Sequence, residues 1–228
     1  MPEEFEWCEH DLFIGNCDGA IEDLLGAATA DFAERIAQLE GYRVSIPERS
    51  NAFLPQKVDL PSNVCRRSSG ARNLRSLIEE AMRDNGHDRE GTITVVFLGR
   101  NPLYPIDLIA EGVQMLGQED DVIVIGESHG HNNEPSLTWF ATRTFHPDLF
   151  PSDGYEGVWR PSILSFLKDV DALIIPVRPV RDIASIADCA YLYHEIEREI
   201  LLKHWYPHRT YEVLKHLRRL NVIPGAGE

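Results

Sequence analysis

The sequence predicts an α/β domain with a mostly parallel sheet flanked by helices. Three uncharged runs of strand length carry this reading: Thr92–Leu98, Asp121–Ile125 after its first residue, and Ala172–Val177. Runs so rich in β-branched residues are typical of strands buried on both faces. Segments of helical periodicity alternate with them, and that alternation is the mark of the α/β class.

The first helix is expected over Ala20–Leu39, where Ile21, Leu24, Leu25, Ala28, Phe32, Ile36 and Leu39 recur at helical spacing. Gly41 stands where a helix end prefers glycine. Tyr42–Ile46 reads as a short strand closed by Pro47, and Asn51–Ser69, with Pro55 and Pro61, as an irregular connection. A second helix is expected over Ala71–Asp84, with Leu74, Leu77, Ile78 and Met82 on one face. Asp107–Leu116 reads as a helix between two strands, a crossover that implies strands running the same way. Trp139–Ala141 is a short strand candidate and Ile163–Leu167 a helix candidate. Ile183–Glu197 is a helix reaching toward Lys203, interrupted by His204–His208, and Thr210–Leu220 is a final amphipathic helix. The division expected is one α/β domain over residues 1–203 and a helical extension over 204–228.

With 228 residues, 43 % hydrophobic and 26 % charged, the chain can bury an ordinary core without staples. Its net charge of −15 argues against nucleic acid and anionic membranes as partners, since both require clustered cations. A small anionic ligand needs only a local basic pocket. Cys8, Cys17, Cys65 and Cys189 form no C-x-x-C pair, which reads as free thiols in a cytoplasmic protein. The acidic N-terminus has no signal-peptide pattern, and no apolar run spans a bilayer.

In open α/β sheets ligands sit beyond the carboxyl ends of the strands. The loop after Leu98 offers Gly99, Arg100 and Asn101. A glycine there admits close backbone approach, and Arg100 suits a phosphate; the other reading is a tight proline-fixed loop with a solvated arginine. The loop after Ile125 offers Glu127, His129 and His131. The H-x-H pair suits a divalent ion, and equally suits a polar loop with two titratable histidines. The loop after Val177 offers Asp182, as a helix N-cap or as a ligand group. Arg66, Arg67, Arg72 and Arg75 surround Gly70, an arrangement that suits either an anion site at a helix start or a basic surface patch. Walker A and G-x-G-x-x-G patterns are absent.

At these loops the chain resembles the DUF2064 group, relatives of glycosyltransferases with the GT-A fold of nucleotide-diphospho-sugar transferases, a Rossmann-like architecture. The turn Gly70–Ala71–Arg72, the strand end Val95–Asn101, the strand Val122–Gly126, the segment Leu137–Phe140, His146–Phe150 and Asp182–Asp188 follow the family's motif order. His146–Phe150 matches an H-P-x-L-F segment closely. The likeness covers Ala20 to Glu197. Asn101 stands where the family carries Asp, Ala184 where it carries the second Asp of D-V-D, and a longer His- and Asn-containing loop replaces D-G-G.

The resemblance implies a nucleotide sugar or related small anionic ligand, with Gly70, Arg72, Gly99, Arg100 and Asn101 around the phosphates. It implies a carboxylate base among Asp182, Glu127 and Asp107. It also implies a Mg or Mn ion, for which Asn101, His129 and His131 are the donors here. A homodimer is compatible with it. The departures leave a second reading open, a non-catalytic descendant kept for nucleotide or protein binding. A third is an unrelated metal hydrolase using His129 and His131.

Overall fold

The computed structural model describes residues 18–48, 60–68, 76, 79–80, 82–83, 92–117, 121–129, 135–144, 171–183 and 185–223. Its elements in chain order are α1 (Asp18–Ile36), β1 (Val44–Glu48), β2 (Val64–Ser68), β3 (Thr94–Phe97), α2 (Ile106–Met115), β4 (Val122–His129), β5 (Pro135–Thr142), β6 (Leu173–Val177), α3 (Ile186–Leu201) and α4 (His208–Arg219). They belong to two compact units. The first takes its described residues from Met1–Arg66, Arg100–Tyr104 and Asp182–Glu228, and the second from Arg67–Gly99 and Pro105–Arg181.

The first unit is mainly helical. Leu24 of α1, Cys189, Leu192 and Ile196 of α3, and Leu214 and Leu217 of α4 share one core. These are the apolar positions that helical spacing singles out. The chain leaves α1 through a turn in which Gly41 adopts φ +82°, a conformation that favours glycine. Asn63 fastens this turn, donating from Nδ2 to the carbonyl of Ala37 at 2.7 Å. β1 pairs with β2, and Ile46 and Val64 close on Ala30 and Ala33 of α1. β2 falls inside the stretch expected to be irregular. Its sequence, VCRRS, has little strand character by itself, and its pairing with β1 supplies the order.

The second unit holds a four-stranded sheet of order β3-β5-β4-β6. β5 runs antiparallel to both neighbours, while β4 and β6 are parallel, with Val122 opposite Leu173 and Gly126 opposite Val177. The sheet is therefore mixed, which corrects the mostly parallel expectation. β3 and β4 do run the same way, as their crossover requires, but β5 lies between them. The segment expected as a three-residue strand is eight residues long and occupies an inner position.

Burial follows strand position. Ile123, Val124, Ile125, Trp139, Phe140 and Ala141 on the inner strands are at most 1 % exposed. Val95, Val96 and Phe97 of β3 are only half-buried, and Leu173 of β6 is exposed. The outer strands thus read as buried in sequence but, among the described residues, have a strand neighbour on one side only.

Trp139 organises the α2 side of the sheet. A Cβ at Gly126, its cross-strand partner, would collide with the indole. A Cβ at Gly112 of α2 would lie 2.5 Å from the far edge of the same ring. Both glycines leave room for one buried side chain. Of the expected helix over 71–84, Ser76, Glu79, Glu80, Met82 and Arg83 are described, all helical. Ile163–Leu167 and His146–Phe150 lie outside the described residues.

Candidate functional site

Within the first unit, two of the loops marked by the strand-end rule meet. Asp182 follows β6, and its carboxylate is buried. Its Oδ1 accepts from the backbone N–H of Arg100 at 2.9 Å and from that of Ile183 at 2.7 Å. Arg100 opens the loop after β3, so one carboxylate oxygen fastens both loops. Asn101 shapes the next turn. Its Oδ1 accepts from the Leu103 N–H at 2.9 Å, and its carbonyl accepts from the Tyr104 N–H at 3.0 Å. An Asx turn of this kind uses a short side chain with an acceptor oxygen. Arg35 of α1 donates to the Tyr104 carbonyl at 3.0 Å, while its guanidinium lies 4.8 Å from the centre of the Trp205 ring.

Asp182 is not the helix cap it suggests in sequence. α3 begins at Ile186, and Ser185 caps it. The Ser185 Oγ accepts from the Asp188 N–H at 3.1 Å and donates to Asp188 Oδ2 at 2.7 Å, a reciprocal cap.

The Oδ1 atoms of this loop pair are already engaged by the backbone. Asp182 Oδ1 already receives two amide protons and Asn101 Oδ1 receives one. Those N–H dipoles present positive charge to these two oxygens.

The remaining sequence candidates fall in the second unit or outside the described residues. Gly99 gives up its Cβ space to the chain itself, since a Cβ there would lie 2.5 Å from Thr138 Cγ2 and 2.8 Å from the Phe97 ring. Glu127 is half-buried beside a register irregularity in β4, and its carbonyl accepts from the Val180 N–H at 2.9 Å. Asp107 is exposed in the first turn of α2, where the helix dipole favours a carboxylate. His129 ends β4. Gly70, Arg72, His131 and Ala184 lie outside the described residues.

Sequence reasoning misses a second polar centre in the first unit. Asp31 of α1 is 1 % exposed. Its Oδ2 accepts from the Thr210 N–H and the Thr210 hydroxyl, both at 2.8 Å, and its Oδ1 accepts from Arg209 Nη1 at 2.9 Å. Arg209 also donates to Glu34 at 2.5 Å, and His208 Nδ1 stands 3.7 Å from Asp31 Oδ1. α4 starts after Pro207, which has no side chain able to cap it. Asp31 supplies the missing acceptor from another helix. Burial acts to lower the Arg209 pKa, but the hydrogen bonds to Glu34 and Asp31 outweigh it and raise the value. The available signals are an aspartate amid the alanines of α1 and a helix start without a capping residue.

Asp31, Glu34 and His208 form an Asp/Glu/His group with ligand atoms within 4.8 Å of one another. The Arg209 guanidinium binds both carboxylates and already provides the cation there.

Thiol chemistry is disfavoured at Cys189. Burial, with the charge of Asp188 added, pushes its pKa up to about 12, so it stays protonated. Tyr211 is likewise raised to about 12, by burial and by its hydrogen bond with Tyr193.

No protein-family model matches the chain, and no curated protein matches it. A solved structure does match: a "putative nucleotide-diphospho-sugar transferase" from Desulfovibrio desulfuricans G20. The match covers 96 % of this chain and 91 % of that one, with a TM-score of 0.62 and 18 % identity. At that identity the likeness is one of fold. Among the described residues, no helix is long and apolar enough to cross a membrane.

Proposed function

We propose that this chain binds a nucleotide-diphosphate sugar beyond the carboxyl ends of its sheet strands, as a glycosyltransferase-like protein. The hydrogen bond from the Arg100 N–H to Asp182 carries the reading, because it ties together two loops that the strand-end rule marks for ligand binding. The fold shared with the Desulfovibrio protein and the DUF2064-like motif order support the same class.

In this reading Arg100 and Asn101 serve the phosphates, the role that the family resemblance also gives to Gly70, Arg72 and Gly99. Asp182 chiefly holds the loops, and the base is sought among Glu127, Asp107 and Asp182. A Mg or Mn ion would need donors beyond Asn101 and Asp182, which leaves His129, His131 and Glu127. The burial of Asp182 and its two amide donors also favour a second reading, a binding protein without turnover.

The test is a thermal-shift panel of UDP-, GDP-, CDP- and dTDP-sugars, with and without Mn²⁺. A ligand that binds the native state raises Tm. One sugar nucleotide is expected to do so, and a flat panel would sink the proposal. Release of nucleoside diphosphate from the stabilising ligand then separates an enzyme from a binding protein.

A further inference from the structure

The loop after β6, Arg178–Pro179–Val180–Arg181, belongs wholly to the second unit and is assigned no role above. Its backbone is anchored by the Val180 N–H, which donates to the Glu127 carbonyl at 2.9 Å. β4 and β6 are the parallel pair of this sheet, so the loop is pinned at the carboxyl end of that pair. Pro179 fixes its own φ and removes one backbone donor, which limits the conformations available to the loop. Val177 is buried and Val180 half-buried, whereas Arg178 and Arg181 are both exposed. Two cations are thus held three residues apart at the edge where α/β sheets take ligands, on a chain of net charge −15. On so acidic a chain, such a pair gives an anion a local attraction that the rest of the surface opposes.

We propose that Arg178 and Arg181 form a diphosphate-recognising pair. Guanidinium groups suit this role, because their planar N–H fork matches phosphate oxygens two at a time. The inference rests on the nucleotide-sugar reading and adds two residues to those named there for the phosphates, yet it requires only the anion itself.

The test measures binding by calorimetry, using inorganic pyrophosphate, UDP and the sugar nucleotide that best stabilises the chain. The proteins are the full chain, Arg178→Gln, Arg181→Gln and Arg178→Lys, with Arg219→Gln, an exposed arginine near the end of α4, as control. Each glutamine variant is expected to bind all three ligands at least about tenfold more weakly, the loss of one charge-assisted contact. Arg178→Lys, which keeps the charge but loses the fork, should fall between, and Arg219→Gln should match the unaltered chain. Equal binding by the glutamine variants overturns the pair and leaves the nucleotide-sugar reading standing. An equal loss in Arg219→Gln also overturns it, since the attraction would then be general. If pyrophosphate binds and depends on the pair while no sugar nucleotide binds, the pair stands and the nucleotide-sugar reading falls. If pyrophosphate and UDP both fail to bind the unaltered chain, the pair is overturned.

Discussion

Trp139 in the second unit and Asp31 in the first are buried to almost the same degree, at 0 % and 1 % exposure, yet they organise their surroundings by different physics. Trp139 acts through shape. Its indole lies against positions 112 and 126, and both must be glycine for it to fit. Asp31 acts through hydrogen bonds. One carboxylate takes up the start of α4 and, together with Glu34, the Arg209 guanidinium. A core built on shape tolerates small apolar changes by repacking. A buried carboxylate tolerates them less well, because each lost partner leaves a polar group unsatisfied.

The strongest way to break the comparison is at Trp139. Trp139→Ala should cost about 3–5 kcal/mol, the range for deleting a large buried aromatic. Chemical denaturation followed by circular dichroism reads this as a lower midpoint. Gly112 and Gly126 bound the resulting cavity, and neither can fill it without a new side chain. A loss below about 1 kcal/mol would mean that the glycines are spaced for some other reason.

Asp31 comes next. Asp31→Ala leaves the Thr210 N–H and hydroxyl without their acceptor and Arg209 with Glu34 alone, an expected loss of about 2–4 kcal/mol. Asp31→Asn keeps an acceptor and should lose less. Pairing Asp31→Leu with Arg209→Met should recover part of the loss, since an apolar pair can replace a buried ion pair. No comparable exchange exists for Trp139, so the double variant sharpens the contrast. Equal stability of Asp31→Ala and the unaltered chain in urea titration would remove Asp31 from its role.

The two residues also differ in how visible they are in the sequence. The apolar strand β4 and helices α1, α2, α3 and α4 are legible because their periodicity is local. β5 is partly legible, from Trp139 to Ala141, but its antiparallel insertion between β3 and β4 is a long-range choice that no local pattern encodes. β2 is hidden because pairing with β1, rather than its own residues, makes it a strand. At the candidate site, the strand-end rule marks the loops of Arg100 and Asp182 but not the hydrogen bond between them, and the capping role suggested for Asp182 belongs to Ser185. Asp31 is opaque, since Arg209 lies 178 residues away. Gly126 reads in sequence only as a strand end, and its reason is a tryptophan on the neighbouring strand.

Ser185 gives the finest test of the comparison, because it does locally what Asp31 does at a distance. Its hydroxyl caps α3 and bonds Asp188, three residues on, so both partners belong to one turn of one helix. Ser185→Ala removes that acceptor. At a helix start whose groups water can reach after a small opening, the loss is about 1 kcal/mol. Asp31 caps α4 from α1, and fraying cannot bring water to Thr210 without separating two packed helices. Hydrogen exchange distinguishes the two cases. Ser185→Ala should speed exchange in the first turn of α3 alone, while Asp31→Ala should speed it through α4 and the α1 residues facing it. If Ser185→Ala proves as costly as Asp31→Ala, then distance between cap and helix is not what sets the penalty, and the buried position shared by Ser185 and Asp31 is.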